Sequence, residues 1–381
     1  MDEGEYRPVV SGEVRWADNG QYCFFQPNPL PFDLELDDDT RERMSRLHLL
    51  LGRLDGKVSQ LPPGEKDILT LAFTRKESIL SSAIEGTGTT MADLYRSERI
   101  PERDPVKAAD NREVVNYKKA LEFGLARSES NGAITEQCMM EMHAILMEGV
   151  RGKDKTPGVY RDTQVFVGVP GDTVETARYV PMPPGNIQWA MDSWFEYVNG
   201  RKDDFLIRAA LAHYQFETIH PFKDGNGRIG RLMIMLILCR CGVFEHPVLY
   251  LSEFFNRHRS DYIDALNGIR EADRFAEWLN FFFTGLEVQA KSSMNLIDSL
   301  SAYRAEITAG EKNINAIRAM DMLFRNPFVR VADVAEETGL SIPAATRIVE
   351  SLESRGILRE TTRQKRNRLY VADRILKLLD D

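Results

Sequence analysis

A chain of 381 residues, 43% hydrophobic and 28% charged, has enough apolar material for two or three domains with full cores. Its net charge of −9 excludes a general affinity for nucleic acid or membrane surfaces, although a local basic patch fits within it. The polar start Met-Asp-Glu-Gly-Glu-Tyr-Arg is no signal peptide, and the most apolar run, Leu232 to Phe244, is too short to span a bilayer and contains Arg240; a cytoplasmic protein without membrane contact is expected.

In chain order, the first thirty-odd residues, with Pro27-Asn28-Pro29-Leu30-Pro31-Phe32, read as extended chain draped over the rest. Helical periodicity predicts helices over 38–56 and 64–86. The second ends Ser81-Ser82-Ala83-Ile84-Glu85-Gly86, so Ser81 and Glu85 share one face and Gly86 is a natural C′ residue. A carboxylate in that last turn opposes the helix dipole, and Glu85 calls for a compensating partner, in the plainest case solvent or a surface cation. Helices follow over 105–127 and 135–148. Residues 164–184 break the pattern, alternating apolar and polar around Pro170-Gly171-Asp172, which predicts a β-hairpin. Further helices are predicted over 186–199, 203–219, 227–242, 259–269 and 274–307. Four cysteines show no zinc or disulfide spacing; Cys239 and Cys241 read as thiols of an apolar helix in a reducing compartment.

Past residue 310 the texture changes. Helices over 313–325, 331–338 and 342–355, a turn at Gly339-Leu340-Ser341 and a strand-like, basic, strand-like run to Ala372 outline a winged helix. Residues 355–370 carry six basic groups and one acidic, suited to phosphate contacts, and Ser341, Ala344, Ala345, Thr346 and Arg347 lie where a third helix would meet base edges. Winged helices also dock proteins or dimerise, so DNA and protein contact both stay open.

The most informative stretch is His220-Pro-Phe-Lys-Asp-Gly-Asn-Gly-Arg-Ile-Gly-Arg231, between the apolar runs 205–219 and 232–244. A Gly-rich turn opening a helix aims several N–H groups at one point, backed by the positive end of the dipole. Arg228 and Arg231 add bidentate phosphate donors, Asp224 a hard oxygen of the kind Mg²⁺ takes, and His220 a base that works near neutral pH. Together they describe a nucleotide-phosphate site.

This segment resembles the signature of the Fic/Doc family, H-x-F-x-[D/E]-G-N-G-R-x-x-R, at every defined position. The resemblance implies a mainly α fold: a helical Fic core with a small β-hairpin flap, an N-terminal helical segment and a C-terminal winged-helix domain. It divides the chain into residues 1–109, a core over 110–309 and a winged helix over 310–381. It implies a protein adenylyltransferase that moves AMP from ATP and Mg²⁺ to Ser, Thr or Tyr hydroxyls of a protein docked on the flap at 164–184, or of itself. His220 would be the general base and Asp224 the metal ligand. Gly225, Asn226, Gly227, Arg228, Ile229, Gly230 and Arg231 would bind the nucleotide phosphates, and Tyr262 would wall the base. Ser81, Glu85 and Gly86 match the inhibitory [S/T]-x-x-x-E-[G/N] motif, which implies a class II, self-inhibited protein in which Glu85 pairs with Arg231. A homodimer is a further expectation. The alternatives are a nucleotide-sensing DNA-binding regulator, or transfer or removal of a different nucleotide moiety.

Overall fold

The computed structural model describes every residue except Asp2, Glu3, Glu5, Asn19, Lys153, Pro170, Arg201, Arg363, Lys365 and Asp381. The expected turn residue Pro170 and two basic residues of the wing, Arg363 and Lys365, therefore lie outside the described residues.

Two helices form the centre. The first, α7 (Phe205–Ile219), starts at an Asp204 N-cap whose side chain accepts from the Leu206 amide, and the second, α8 (Asn226–Arg240), packs along it. Both are apolar on nearly every face, and helices of that kind must be covered all round. The cover comes from α2 (Pro63–Ile84), α4 (Pro105–Asn131), α5 (Glu136–Leu146), α6 (Ile187–Asn199), α10 (Arg259–Ala272) and the long α11 (Phe275–Thr308), with α1 (Asp38–Ser59) laid on α11. Trp194 and Trp278, fully buried, point their indole N–H groups at the Ala212 and Ala210 carbonyls of α7, so burying these rings leaves no polar atom unpaired.

Helix boundaries follow the predicted ones within a few residues, and the differences have local causes. α4 runs on to Asn131 because nothing breaks it before Gly132, which caps it in the left-handed conformation. Three helices escape the periodicity argument, α3 (Met91–Ser97), α9 (Ser252–Arg257) and α15 (Asp373–Asp380), each of eight residues or fewer and too short to display a face that repeats over several turns. The N-terminal stretch is extended as expected, and it also forms an antiparallel pair, β1 (Gly12–Trp16) with β2 (Cys23–Pro27). The Phe25 amide of β2 then donates to the Val180 carbonyl at 2.9 Å, which anchors this pair beside the exit of the 164–184 segment.

The C-terminal module is a winged helix: α12 (Ile314–Arg325), β3 (Phe328–Arg330), α13 (Val331–Thr338), α14 (Ile342–Ser354), β4 (Arg359–Glu360), β5 (Leu369–Val371) and a closing α15 (Asp373–Asp380), with sheet order β3-β5-β4. It is bolted to α2. Arg75 donates to the Arg325 carbonyl at 2.6 Å and to Glu98 at 2.6 Å, while Asn326 donates to the same Glu98 at 2.9 Å. Among the described residues no helix is long and apolar enough to cross a membrane.

Candidate active site

α7 ends on His220, which takes the left-handed conformation (φ 50°, ψ 60°) with its amide still bonded to the Phe216 carbonyl at 2.9 Å. A β-substituted residue adopts that conformation only when its surroundings hold it there. Here the holder is Arg161, 2% exposed, whose Nε donates to the His220 carbonyl at 2.9 Å and whose Nη2 donates to the Met182 carbonyl at 2.6 Å. One guanidinium thus joins the histidine turn to the exit of the 164–184 segment. Burial, with the Arg161 charge behind it, pushes the His220 imidazole down to about 4, so the ring is neutral at physiological pH.

The loop into α8 is shaped by Asn226, whose side chain accepts from the Phe222 amide and donates to the Phe222 carbonyl, each at 2.8 Å. His143 of α5 supports the same loop. The Gly158 amide donates to its Nδ1 at 2.8 Å, which leaves the proton on Nε2 to reach the Asp224 carbonyl at 2.9 Å. Its ring stacks on Phe222 at 3.8 Å. Gly225 opens α8 at φ 80°, and its amide bonds to the Asp224 carboxylate at 2.6 Å. No side chain caps α8, so the first-turn N–H groups of Asn226, Gly227 and Arg228 remain the natural partners of an anion.

The group sitting over that helix start is Glu85. A Cβ built on Gly227 would lie 2.6 Å from its Oε1. Glu85 follows the last residue of α2, with Gly86 behind it at φ 93°, and its carboxylate meets Arg231 Nη2 at 2.7 Å. Arg231 is 4% exposed and also donates to Ser81, Nε to the hydroxyl at 2.7 Å and Nη2 to the carbonyl at 3.0 Å. Burial opposes the ionisation of Glu85, but Arg231, with Arg228 and Arg259 beyond it, holds the carboxyl below its usual range. The compensating partner that the sequence called for is therefore a buried arginine 146 residues away.

Arg228 is also buried, paired with Glu113 of α4 at 3.5 Å and with Asp224 at 3.6 Å. Tyr262 is 5% exposed; its hydroxyl is 2.7 Å from His213 Nε2 while its ring faces the cavity, so it is a core residue and a wall at once. The cavity holds about 740 Å³ and is lined by Glu85, His220, Gly227, Arg231 and Tyr262, with Val167, Val169 and Tyr179 on one rim. Of the seven residues expected to bind phosphate, Gly227 and Arg231 line this cavity, and Gly225, Asn226, Arg228, Ile229 and Gly230 do not. Ile229 is fully buried in the core, and Gly230 faces α7, where a Cβ would meet Glu217 at 2.3 Å; its role is close helix packing.

The 164–184 segment is a looser hairpin than its alternation suggests, closed among the described residues by one antiparallel bridge between Val167 and Tyr179. Val167 and Val169 are 41% and 70% exposed. Glu113, His143, Arg161 and Glu217 went unpredicted. Each contacts the signature across a gap in sequence or from outside its defined positions, and neither periodicity nor spacing marks them.

α2 is held in place behind the brake position by Glu77, which accepts from Tyr117, the Ser252 amide and the Ser252 hydroxyl. Burial, partly offset by those donors, pushes its carboxyl from 4.5 up to about 7. The folded state then holds the proton more tightly than the unfolded chain, so the stability it lends is complete below about pH 4.5 and lost as pH rises through about 7. Glu217, also raised by burial to about 7, acts in the same direction. Tm is expected to fall between about pH 4.5 and 7, and Glu77→Gln to flatten part of that fall. An unchanged slope in the variant would remove Glu77 as a source.

Comparison with known proteins agrees with this geometry. Residues 133–238 match the family model described as Fic/DOC family, residues 42–126 the one described as Fic/DOC family N-terminal, and residues 312–359 the one described as Winged helix-turn-helix DNA-binding. The chain is 29% identical over 232 residues to the Protein adenylyltransferase Fic of Aedes aegypti, covering 58% of this chain and 43% of that relative. It is 31% identical over 201 residues to the Protein adenylyltransferase Fic of Nematostella vectensis, covering 51% and 42%. The chain thus spans less than half the length of these curated relatives. A crystal structure of a Fic family protein from Desulfovibrio desulfuricans G20 superposes with a TM-score of 0.56 at 20% identity, over 89% of this chain and 97% of that one.

Proposed function

The chain belongs to the Fic/DOC family, and from that premise we propose that it transfers AMP from ATP to a hydroxyl group of a protein and that Glu85 restrains the reaction. The observation that carries the reading is the Glu85 carboxylate lying over the uncapped start of α8 and pairing with Arg231. A carboxylate there resembles phosphate oxygens in charge and acceptor geometry, which supports a nucleotide binding at the same helix start.

In this reading the phosphates lie along the first turn of α8. Arg228, oriented by Glu113, neutralises one side, and Arg231 binds the terminal phosphate once Glu85 withdraws. Neutral His220 accepts the proton of the incoming hydroxyl as it attacks the α-phosphate, and pyrophosphate leaves. The site contributes position and charge, with no covalent step on the protein. Mg²⁺ fits beside Asp224. That carboxylate is 39% exposed, and Gly152 passes close to Oδ2 without covering it, where a Cβ would come within 2.5 Å. When bound there, the ion would neutralise phosphate charge, completing its shell with nucleotide oxygens and water. Among the described residues no cluster of three or more metal-ligating side chains occurs, so Asp224 would be the main protein ligand.

The exposed rim at Val167 and Val169 suits an extended target segment adding to the hairpin edge. Tyr262 would face the base. We place the protein in the cytoplasm, consistent with four free cysteines. The winged helix reads better as a docking module than as a phosphate clamp: Arg355, Arg359 and Arg368, three of the wing's basic residues, already face Glu311, Asp373 and Glu360.

The test is position-labelled ATP supplied to the Glu85→Gly protein. Label at the α-phosphate is expected to stay with protein and label at the γ-phosphate to be released. Retained γ-label would make the protein a phosphotransferase and overturn the proposal, while transfer from α-labelled UTP or GTP in preference would change the donor.

A further inference from the structure

We propose that the cavity at the far end of α7 and α8 from His220 is a binding site for a small phosphate-type oxyanion. It holds about 410 Å³ and is lined by Phe205, Arg208, Arg240 and Cys241. α7 and α8 each run 15 residues, so this cavity lies about 22 Å along the helices from the histidine turn and is separate from the one described above.

Arg208 is 6% exposed. Its Nη2 donates to the Asp203 carbonyl at 2.7 Å and its Nη1 to the Cys241 sulfur at 3.2 Å, while its buried Nε has no partner. Arg240 is half-buried, reaches only the Asn199 carbonyl at 3.4 Å, and also has an unpartnered Nε. Among the described residues neither arginine forms an ion pair; the buried Arg161 and Arg270 also lack one, but each spends its Nε on a neutral acceptor, whereas the Nε of Arg208 has none. The two acids that precede α7 are otherwise engaged. Asp203 accepts from the Tyr197 hydroxyl at 2.7 Å, and Asp204 accepts from the Leu206 amide at 2.9 Å and faces His48 at 2.9 Å.

A guanidinium stays charged at any pH the protein meets, and neutral acceptors do not repay the removal of that charge from water. Two such cations on one cavity also repel each other. Arg240 alone has a simpler explanation, since a cation suits the last turn of α8. Arg208 does not share it. It stands in the first turn of α7, where the helix dipole is positive and a cation is disfavoured. Two guanidiniums on one hollow make a complementary environment for a tetrahedral dianion, bound through the fork geometry that arginine offers to phosphate oxygens. The volume leaves space for a phosphate monoester as well as for inorganic phosphate.

The full-length protein is titrated with inorganic phosphate and, separately, with AMP, at constant ionic strength set by chloride, and ³¹P linewidths are followed. Saturable broadening is expected in wild type and in Arg231→Ala, and at least a tenfold weakening in Arg240→Gln and in Arg208→Gln. Phosphate should also slow iodoacetamide alkylation of Cys241 relative to Cys239, read by site-resolved mass spectrometry. Broadening by phosphate alone identifies the inorganic ion, and broadening by both identifies a monoester site. No broadening, or broadening that survives in folded Arg240→Gln, overturns the proposal.

Discussion

Replacing Glu85 by glycine is expected to raise AMP transfer by about 10²-fold or more, the scale on which a preorganised donor to developing or transferring charge matters. The cause is specific. In the wild type two of the three Arg231 nitrogens are engaged: Glu85 takes Nη2, and Ser81 takes Nε and shares Nη2. The Glu85 carboxylate also covers Gly227, so the first turn of α8 cannot receive a terminal phosphate without moving it. Glycine removes the carboxylate without disturbing α2, because Glu85 lies beyond the last helical residue and Gly86 still supplies the left-handed cap. Label from α-labelled ATP incorporated per unit time measures the effect, and equal rates in the two proteins would mean that Glu85 is no brake.

The second large effect is the loss of transfer when His220 becomes alanine, by about 10² to 10⁴ in the Glu85→Gly background. His220 is neutral because burial and Arg161 disfavour its protonation, so the base is ready without a proton having to leave first. Alanine should leave nucleotide binding nearly intact, since the phosphate donors belong to α8, Arg228 and Arg231. A fall in rate with unchanged ATP affinity is therefore expected. A fall in affinity of the same size as the fall in rate would instead make His220 a binding residue.

What the sequence revealed divides along the lines of locality. The signature was legible because twelve consecutive residues carry the base, the turn, the helix start and both arginines. The helices around it were legible because each repeats an apolar face, and α3, α9 and α15 were not because they end before a face can repeat over several turns. Glu85 was visible as an acid at the wrong end of a helix, and the family resemblance, not spacing, pointed to Arg231 as its partner. Glu113 reaches Arg228 across 115 residues, His143 reaches Asp224 across 81, and Arg161 reaches His220 across 59. Nothing local marks such pairs; only the packing of α4 and α5 on α8 brings the first two together. The hairpin is present but shorter than its alternation promises, since among the described residues one antiparallel bridge closes it. Ile229 and Gly230 show a related limit, for a contiguous motif on a helix turns some of its members away from the site.

The most direct test of the account is intact-mass analysis of wild type, Glu85→Gly and Glu85→Gly/His220→Ala after incubation with ATP and Mg²⁺. The account predicts a gain of one adenylyl group or more on the Glu85→Gly protein or an added acceptor protein, little on the wild type, and none in the double variant. An equal gain in wild type and Glu85→Gly, or a gain that survives the loss of His220, would contradict it.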